Sequence, residues 1–226
     1  MRVIFNEELK AVADDLDHMV KGVRRAINGA GDALLNQNLE AAQAVIDGDI
    51  EIDALEASVV DQCVKLLAKQ NPVATDLRVV VSTMRLATTF ERMGDLARHI
   101  AEAARRTYPA SPLPAEAQPL FAEMQAFLDN VADQVVSMLT DRDTKTAEQI
   151  ILNDDKLDAL HKKTFELAQS ENWAGTNQQL IDVVLIGRFM ERLGDHAVSA
   201  ARRVVYIVSG FDPSKEPARD EDTDIA

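Results

Sequence analysis

Apolar residues recur near the amino terminus at alternating spacings of four and three: Phe5, Leu9, Val12, Leu16, Met19, Val23, Ala26 and Ala30. At about 3.6 residues per turn this spacing makes one continuous stripe, which predicts a helix that buries one side. Similar stretches rich in Ala, Leu, Val, Glu and Asp fill most of the remaining chain and favour helix. Breaks fall near Gln37, at Asn71-Pro72, across Tyr108 to Pro114, near Asp141 to Asp143, and across Asn172 to Thr176. Six long helices are expected.

The two halves resemble each other. Ile52-Asp53-Ala54-Leu55 recurs as Leu157-Asp158-Ala159-Leu160, and Glu91-Arg92-Met93-Gly94-Asp95 recurs as Glu191-Arg192-Leu193-Gly194-Asp195. The offset changes from 105 to 100 residues between the two matches, a difference that a loop can absorb. A duplicated three-helix unit follows, with long helices and short connections running antiparallel. The expected fold class is all-α: two tandem three-helix bundles over 1–108 and 115–210, then an acidic tail over 211–226 that is expected to be disordered.

A hydrophobic content of 46% is enough for a substantial core. The formal charge of −14 disfavours nucleic acid and anionic lipid, and suits cations and basic partner surfaces. Cys63 is the single cysteine, which excludes an intramolecular disulfide; among Val59, Val60, Leu66 and Leu67 it reads as a small buried hydrophobe. Glu7 and Glu8 interrupt any secretory signal, and Val79-Val80-Val81 and Val183-Val184-Leu185-Ile186 are far too short to span a bilayer. A cytoplasmic protein is expected.

Four carboxylate pairs share an i, i+4 spacing: Asp49 with Asp53, Glu91 with Asp95, Asp154 with Asp158, and Glu191 with Asp195. Each pair lies on one helix face, where like charges cost about 0.2–0.5 kcal/mol unless solvent or a cation neutralises them. In the third helix the apolar stripe is Val79, Leu86, Phe90, Met93, Ala97 and Ile100; in the sixth it is Phe189, Leu193, Ala200, Val204 and Ile207. Helical rotation puts Glu91/Asp95 and Glu191/Asp195 nearly opposite these stripes, facing the surface. Asp49/Asp53 and Asp154/Asp158 sit about a quarter-turn from their local stripes, so adjacent helices of one half can bring two pairs together. Gly94 and Gly194 interrupt strong helices at equivalent positions, either for close backbone approach or ligand access, or as tolerated glycines inherited twice. Oxygen clusters with few histidines suit Mg²⁺, Mn²⁺ or iron better than a tight Zn²⁺ site, which prefers thiolates and imidazoles. A solvated acidic face is an equal alternative. His99 and His196 have Ser199 and Leu96 as counterparts and read as surface or cap residues, and His161 and His18 are weaker candidates still.

Three segments together resemble the PhoU family: Glu91-Arg92-Met93-Gly94-Asp95, Glu191-Arg192-Leu193-Gly194-Asp195-His196-Ala197, and Gln70-Asn71-Pro72-Val73-Ala74-Thr75-Asp76-Leu77-Arg78. The similarity runs from about Phe5 to Gly210. It implies two three-helix bundles, association with the phosphate-specific ABC transporter, and restraint of a phosphate-responsive sensor histidine kinase; a homodimer is a further candidate assembly. It also implies multinuclear metal binding by Glu/Asp-x-x-x-Asp pairs, which map here onto Asp49, Asp53, Glu91, Asp95, Asp154, Asp158, Glu191 and Asp195, with Fe, Zn, Mg or Mn as the ion. Two departures distinguish the halves. Leu96 stands where histidine is common, and Trp173-Ala174-Gly175-Thr176 replaces the Pro-Val-Ala connector.

Two other classes compete. A carboxylate-bridged di-iron oxidoreductase needs a Glu-x-x-His motif on facing helices, and only Asp158 with His161 approximates it. A metal-free helical interaction scaffold needs no ligands at all. No nucleophile–base set, Gly-rich phosphate loop or basic aromatic patch is present, so neither an enzyme nor an organic cofactor is expected.

Overall fold

Most of the expected breaks are marked by a capping side chain or a residue in the left-handed region. In the computed structural model, which describes residues 2–211, the elements are α1 (Arg2–Asn36), α2 (Leu39–Gln70), α3 (Ala74–Thr107), α4 (Gln118–Asp141), α5 (Thr144–Leu152), α6 (Asp154–Ala168) and α7 (Asn177–Ser209). The Asn38 side chain accepts from Ala41 N–H at the start of α2, and Asn71 ends that helix in the left-handed region. Arg142 closes α4 in the same left-handed conformation (φ 52°). Thr176 and Gln179 form a reciprocal capping box that opens α7, and Gly210 (φ 77°) closes it.

The described residues form six helical rods, the fifth in two pieces, α5 and α6. The interruption is Asn153, with neither glycine nor proline nearby. Its side-chain amide donates to Gln149 O at 2.8 Å while its own N–H donates to the same carbonyl at 3.1 Å. A short polar side chain that competes for helix carbonyls is enough to end α5 there.

The α1 stripe is confirmed. Phe5, Val12, Leu16, Met19, Val23, Ala26 and Ala30 are buried, and Leu9 packs against the core from a partly exposed position. Cys63 is fully buried, and burial pushes its thiol up to about 11, consistent with an inert core residue. The acidic tail, from residue 212 onward, lies outside the described residues.

Helices α1 and α3 of the first half pack against α4 and α7 of the second, with α1 on α4 and α3 on α7. Helix α2 covers α1 and α3, and α5 with α6 covers α4 and α7, so these elements flank a four-helix centre. Gln125 of α4 is buried in the seam and donates to Ile27 O of α1 at 3.2 Å. It fits because Gly31 has no side chain: a Cβ there would stand 2.2 Å from the Gln125 carboxamide carbon. Across α3 and α7, Arg106 pairs with Asp182, which is 2% exposed and also accepts from Gln178 at 3.1 Å. Nearer the other end, Arg78 donates to Ile207 O at 3.1 Å and lies over the Tyr206 ring.

Candidate metal centre

The two glycines position the acidic residues. A Cβ at Gly94 would lie 3.1 Å from Ile52 Cδ1 and 3.3 Å from Asp49 Oδ1; a Cβ at Gly194 would lie 2.6 Å from Leu157 Cδ2 and 3.9 Å from Asp154 Oδ1. Ile52 and Leu157 are repeat equivalents, as are Asp49 and Asp154. Each glycine therefore lets the preceding helix of its half settle onto the motif helix, which is the close-approach reading of these positions.

That approach corrects the expectation that the motif pairs face outward. Asp49 is 7% exposed and Glu191 9%; Glu91, Asp95 and Asp154 are partly covered, and only Asp53, Asp158 and Asp195 are exposed. A single helix's apolar stripe omits the flank that a second neighbour covers, and here α2 and α6 cover it. The expected meeting of two pairs within one half does occur. Asp53 and Asp95 both act on Glu91, and Asp158 and Asp195 both act on Glu191.

In the second half, Asp158, Glu191 and Asp195 each present an oxygen within 4.8 Å of the others. Glu191 Oε1 contacts Arg188, while Oε2 is buried without a partner. Burial, and then the Asp195 charge, raise the Glu191 pKa above the ordinary range. Burial, then Asp158 and Asp195, do the same for Asp154. Convergent carboxylates with an orphaned buried oxygen form a donor set that fits a hard or intermediate cation such as Mg²⁺, Mn²⁺ or iron. Such an ion would add positive charge beside Asp154, Asp158 and Asp195, since Arg188 pairs with Glu191. The convergent set contains no histidine. His161 packs its ring 5.0 Å from that of Phe165, and burial, then Arg188, lower its pKa. His196 is likewise lowered, first by burial and then by Arg192. His99 lies against Phe189 across the seam, ring centroids 5.4 Å apart.

The first half is built differently. Arg98 places Nε 2.6 Å from Asp49 Oδ2 as a close ion pair, and its two terminal nitrogens donate to Asp95 Oδ1 at 2.7 Å and Glu102 Oε1 at 2.9 Å. Arg92 adds a contact of 3.1 Å to Asp95 Oδ2 and one of 3.4 Å to Glu91 Oε2. Burial works to raise the Asp95 pKa, but Arg98, Arg92 and His99 outweigh it and hold the carboxyl below its ordinary range. For Asp49 burial wins, with Arg98 opposing, and the pKa is raised. Arg98 lies outside the carboxylate motifs. The signal for it is the repeat itself: at the offset of 100 its counterpart is Val198, which is buried.

Fold and site together define a duplicated all-helical protein whose two halves carry acidic grooves, one bridged between its helices by Arg98 and one with a convergent carboxylate set beside Arg188. The PhoU domain family matches this chain twice, over residues 16–104 and 121–204, and the chain belongs to that family. It is 35% identical over 216 residues to the phosphate-specific transport system accessory protein PhoU homolog 1 of Mycobacterium tuberculosis, covering 96% of this chain and 98% of that one. It is 30% identical to the Deinococcus radiodurans PhoU homolog, covering 93% and 99% of the two chains. Among solved structures, PhoU from Pseudomonas aeruginosa superposes with a TM-score of 0.82 at 25% identity, covering 92% of this chain and 100% of that one. The phosphate transport system regulatory protein PhoU from Streptococcus pneumoniae shares the fold, with a TM-score of 0.80 at 22% identity over 92% and 98% of the two chains. The curated relatives are named as accessory proteins of a phosphate-specific transport system and not as enzymes.

Proposed function

We propose that this protein is an accessory regulator of phosphate uptake and a negative regulator of the phosphate-starvation response, acting in the cytoplasm as an adaptor between the phosphate ABC transporter and a sensor histidine kinase. The observation that carries this reading is 35% identity over 96% of the chain to an accessory protein of a phosphate-specific transport system. Among the described residues no helix is long and apolar enough to cross a membrane, so contact with a membrane-embedded transporter would be made through that partner. The protein itself senses no phosphate. It links transporter state to kinase state because it binds two conformations of a partner with different affinities, the thermodynamic requirement of any such coupling.

Within this reading, Asp154, Asp158, Glu191 and Asp195 hold a divalent or iron ion. The ion adds positive charge to the second-half groove and fixes α6 against α7, giving the adaptor one stiff face. The test of the regulatory role is a clean deletion. Expression of phosphate-regulated genes should cease to follow phosphate supply, and regulation that persists unchanged contradicts the proposal.

A further inference from the structure

We propose that Arg98 is a covalently attached substitute for a metal ion: its guanidinium occupies the space between Asp49 and Asp95 and closes the first-half cluster to multivalent cations, so that metal loading is confined to the second half. The confinement rests on the proposed metal role of the second-half carboxylates; the closure of the first half does not. Three nitrogens of Arg98 reach three carboxylates on two helices, at 2.6 Å from Asp49, 2.7 Å from Asp95 and 2.9 Å from Glu102. These distances match charge-assisted pairing, and a bridge from α2 to α3 is the task a cation would perform there. An incoming ion would compete with Arg98 for Asp49 Oδ2 and Asp95 Oδ1 and would meet a fixed positive charge beside them, with Asp53 and Glu91 as the carboxylates that Arg98 does not touch.

The second half shows the arrangement without this residue. Val198 replaces Arg98, Arg188 engages Glu191 Oε1 from within the same helix, an oxygen of each of Asp158, Glu191 and Asp195 converges within 4.8 Å, and Glu191 Oε2 is left buried without a partner. Among the described residues no comparable convergent set of three forms in the first half. One ancestral groove has thus acquired two solutions to the same excess of negative charge. In the first half a resident cation already bridges Asp49 and Asp95, although Asp49 Oδ1 stays buried without a hydrogen-bond partner; the second half, among the described residues, has no such bridge between its helices and responds to metal supply.

The test is Mn²⁺ retention by the full-length chain after equilibration and gel filtration, with circular dichroism to verify folding. Arg98→Val, the residue of the other half, and the polar alternative Arg98→Gln should each retain more Mn²⁺ than wild type. Adding Asp53→Asn and Glu91→Gln to either variant should remove the increment. Without Mn²⁺ both Arg98 variants should melt below wild type, and Mn²⁺ should restore the difference. Folded Arg98 variants that retain no additional Mn²⁺, or a wild-type protein whose retained Mn²⁺ falls on Asp53→Asn/Glu91→Gln, overturn the proposal. The second-half reading fails separately, if Glu191→Gln/Asp195→Asn leaves wild-type retention unchanged; the gain in the Arg98 variants is scored whatever that result.

Discussion

Leu157 of α6 rests on Gly194 of α7 so closely that a single added methyl group would stand 2.6 Å from Leu157 Cδ2. The equivalent contact of Ile52 on Gly94 is looser, at 3.1 Å. Both contacts carry an acidic residue with them, because Asp154 and Asp49 lie on the turn of helix preceding Leu157 and Ile52. Helix packing at a glycine therefore builds each groove, and the side chains that enter it decide its charge.

The two glycines should respond differently to alanine. Helix propensity favours Gly→Ala by about 0.8–1 kcal/mol, while forcing a methyl into a packed contact costs about 1–3 kcal/mol. Gly94→Ala should fall within about 1 kcal/mol of wild type, and Gly194→Ala should be destabilised by about 1–2 kcal/mol. Adding Leu157→Val should recover part of that loss, as a double-mutant cycle in urea unfolding would measure.

Arg106 offsets the charge of a carboxylate that is 2% exposed, at the seam between the halves. Arg106→Ala should cost about 1–3 kcal/mol, because Asp182 is left with only Gln178 as a partner. The double variant with Asp182→Ala should lose less than the sum of the single losses, since the stranded charge is gone.

Acid should act on the second-half groove with an unusual sign. Glu191 and Asp154 have folded-state pKa values above their unfolded values, through burial and neighbouring carboxylates, so the folded state binds more protons. Their contribution to stability therefore rises as pH falls through the raised folded values and is complete below the unfolded ones. In the metal-free protein, Glu191→Gln should raise stability at neutral pH, and its advantage over wild type should shrink on mild acidification. Asp95 and Glu102, with lowered pKa values, lose stabilisation on acidification, but they are common to both proteins and cancel in the comparison. Mn²⁺ affinity should fall over the same pH range, because the ion competes with protons for the carboxylates. Thermal melts with and without Mn²⁺ across this range check both statements.

Arg142 ends α4 in the left-handed region, which costs an L-residue about 1–2 kcal/mol. Glycine removes that strain and gives back about 0.5–1 kcal/mol in chain entropy. Arg142→Gly should therefore stabilise the protein by about 0.5–1 kcal/mol in urea unfolding.

Most of the fold was legible because its signals are local or repeated. The α1 stripe, the caps near Gln37, Asn71 and Asp143, and the paired motifs all lie in short windows of sequence. The interruption at Asn153 was not, since it depends on one side chain competing for the Gln149 carbonyl without glycine or proline to mark it. The eight carboxylates were identifiable as a set, and so was their meeting across adjacent helices. Their burial was not, because it comes from α2 and α6 covering a flank that the motif helix alone leaves open. Arg98 carried a signal that only a residue-by-residue comparison with Val198 reveals: a motif search finds what two repeats share, and the grooves differ in what they do not share.

Anomalous diffraction from crystals of the full-length chain equilibrated with Mn²⁺, collected at the manganese edge, tests the central claim most directly. A peak bonded to Asp158, Glu191 and Asp195 is expected, with none between Asp49 and Asp95, where the Arg98 guanidinium should be seen instead. Peaks in both grooves, or in the first groove alone, would contradict it.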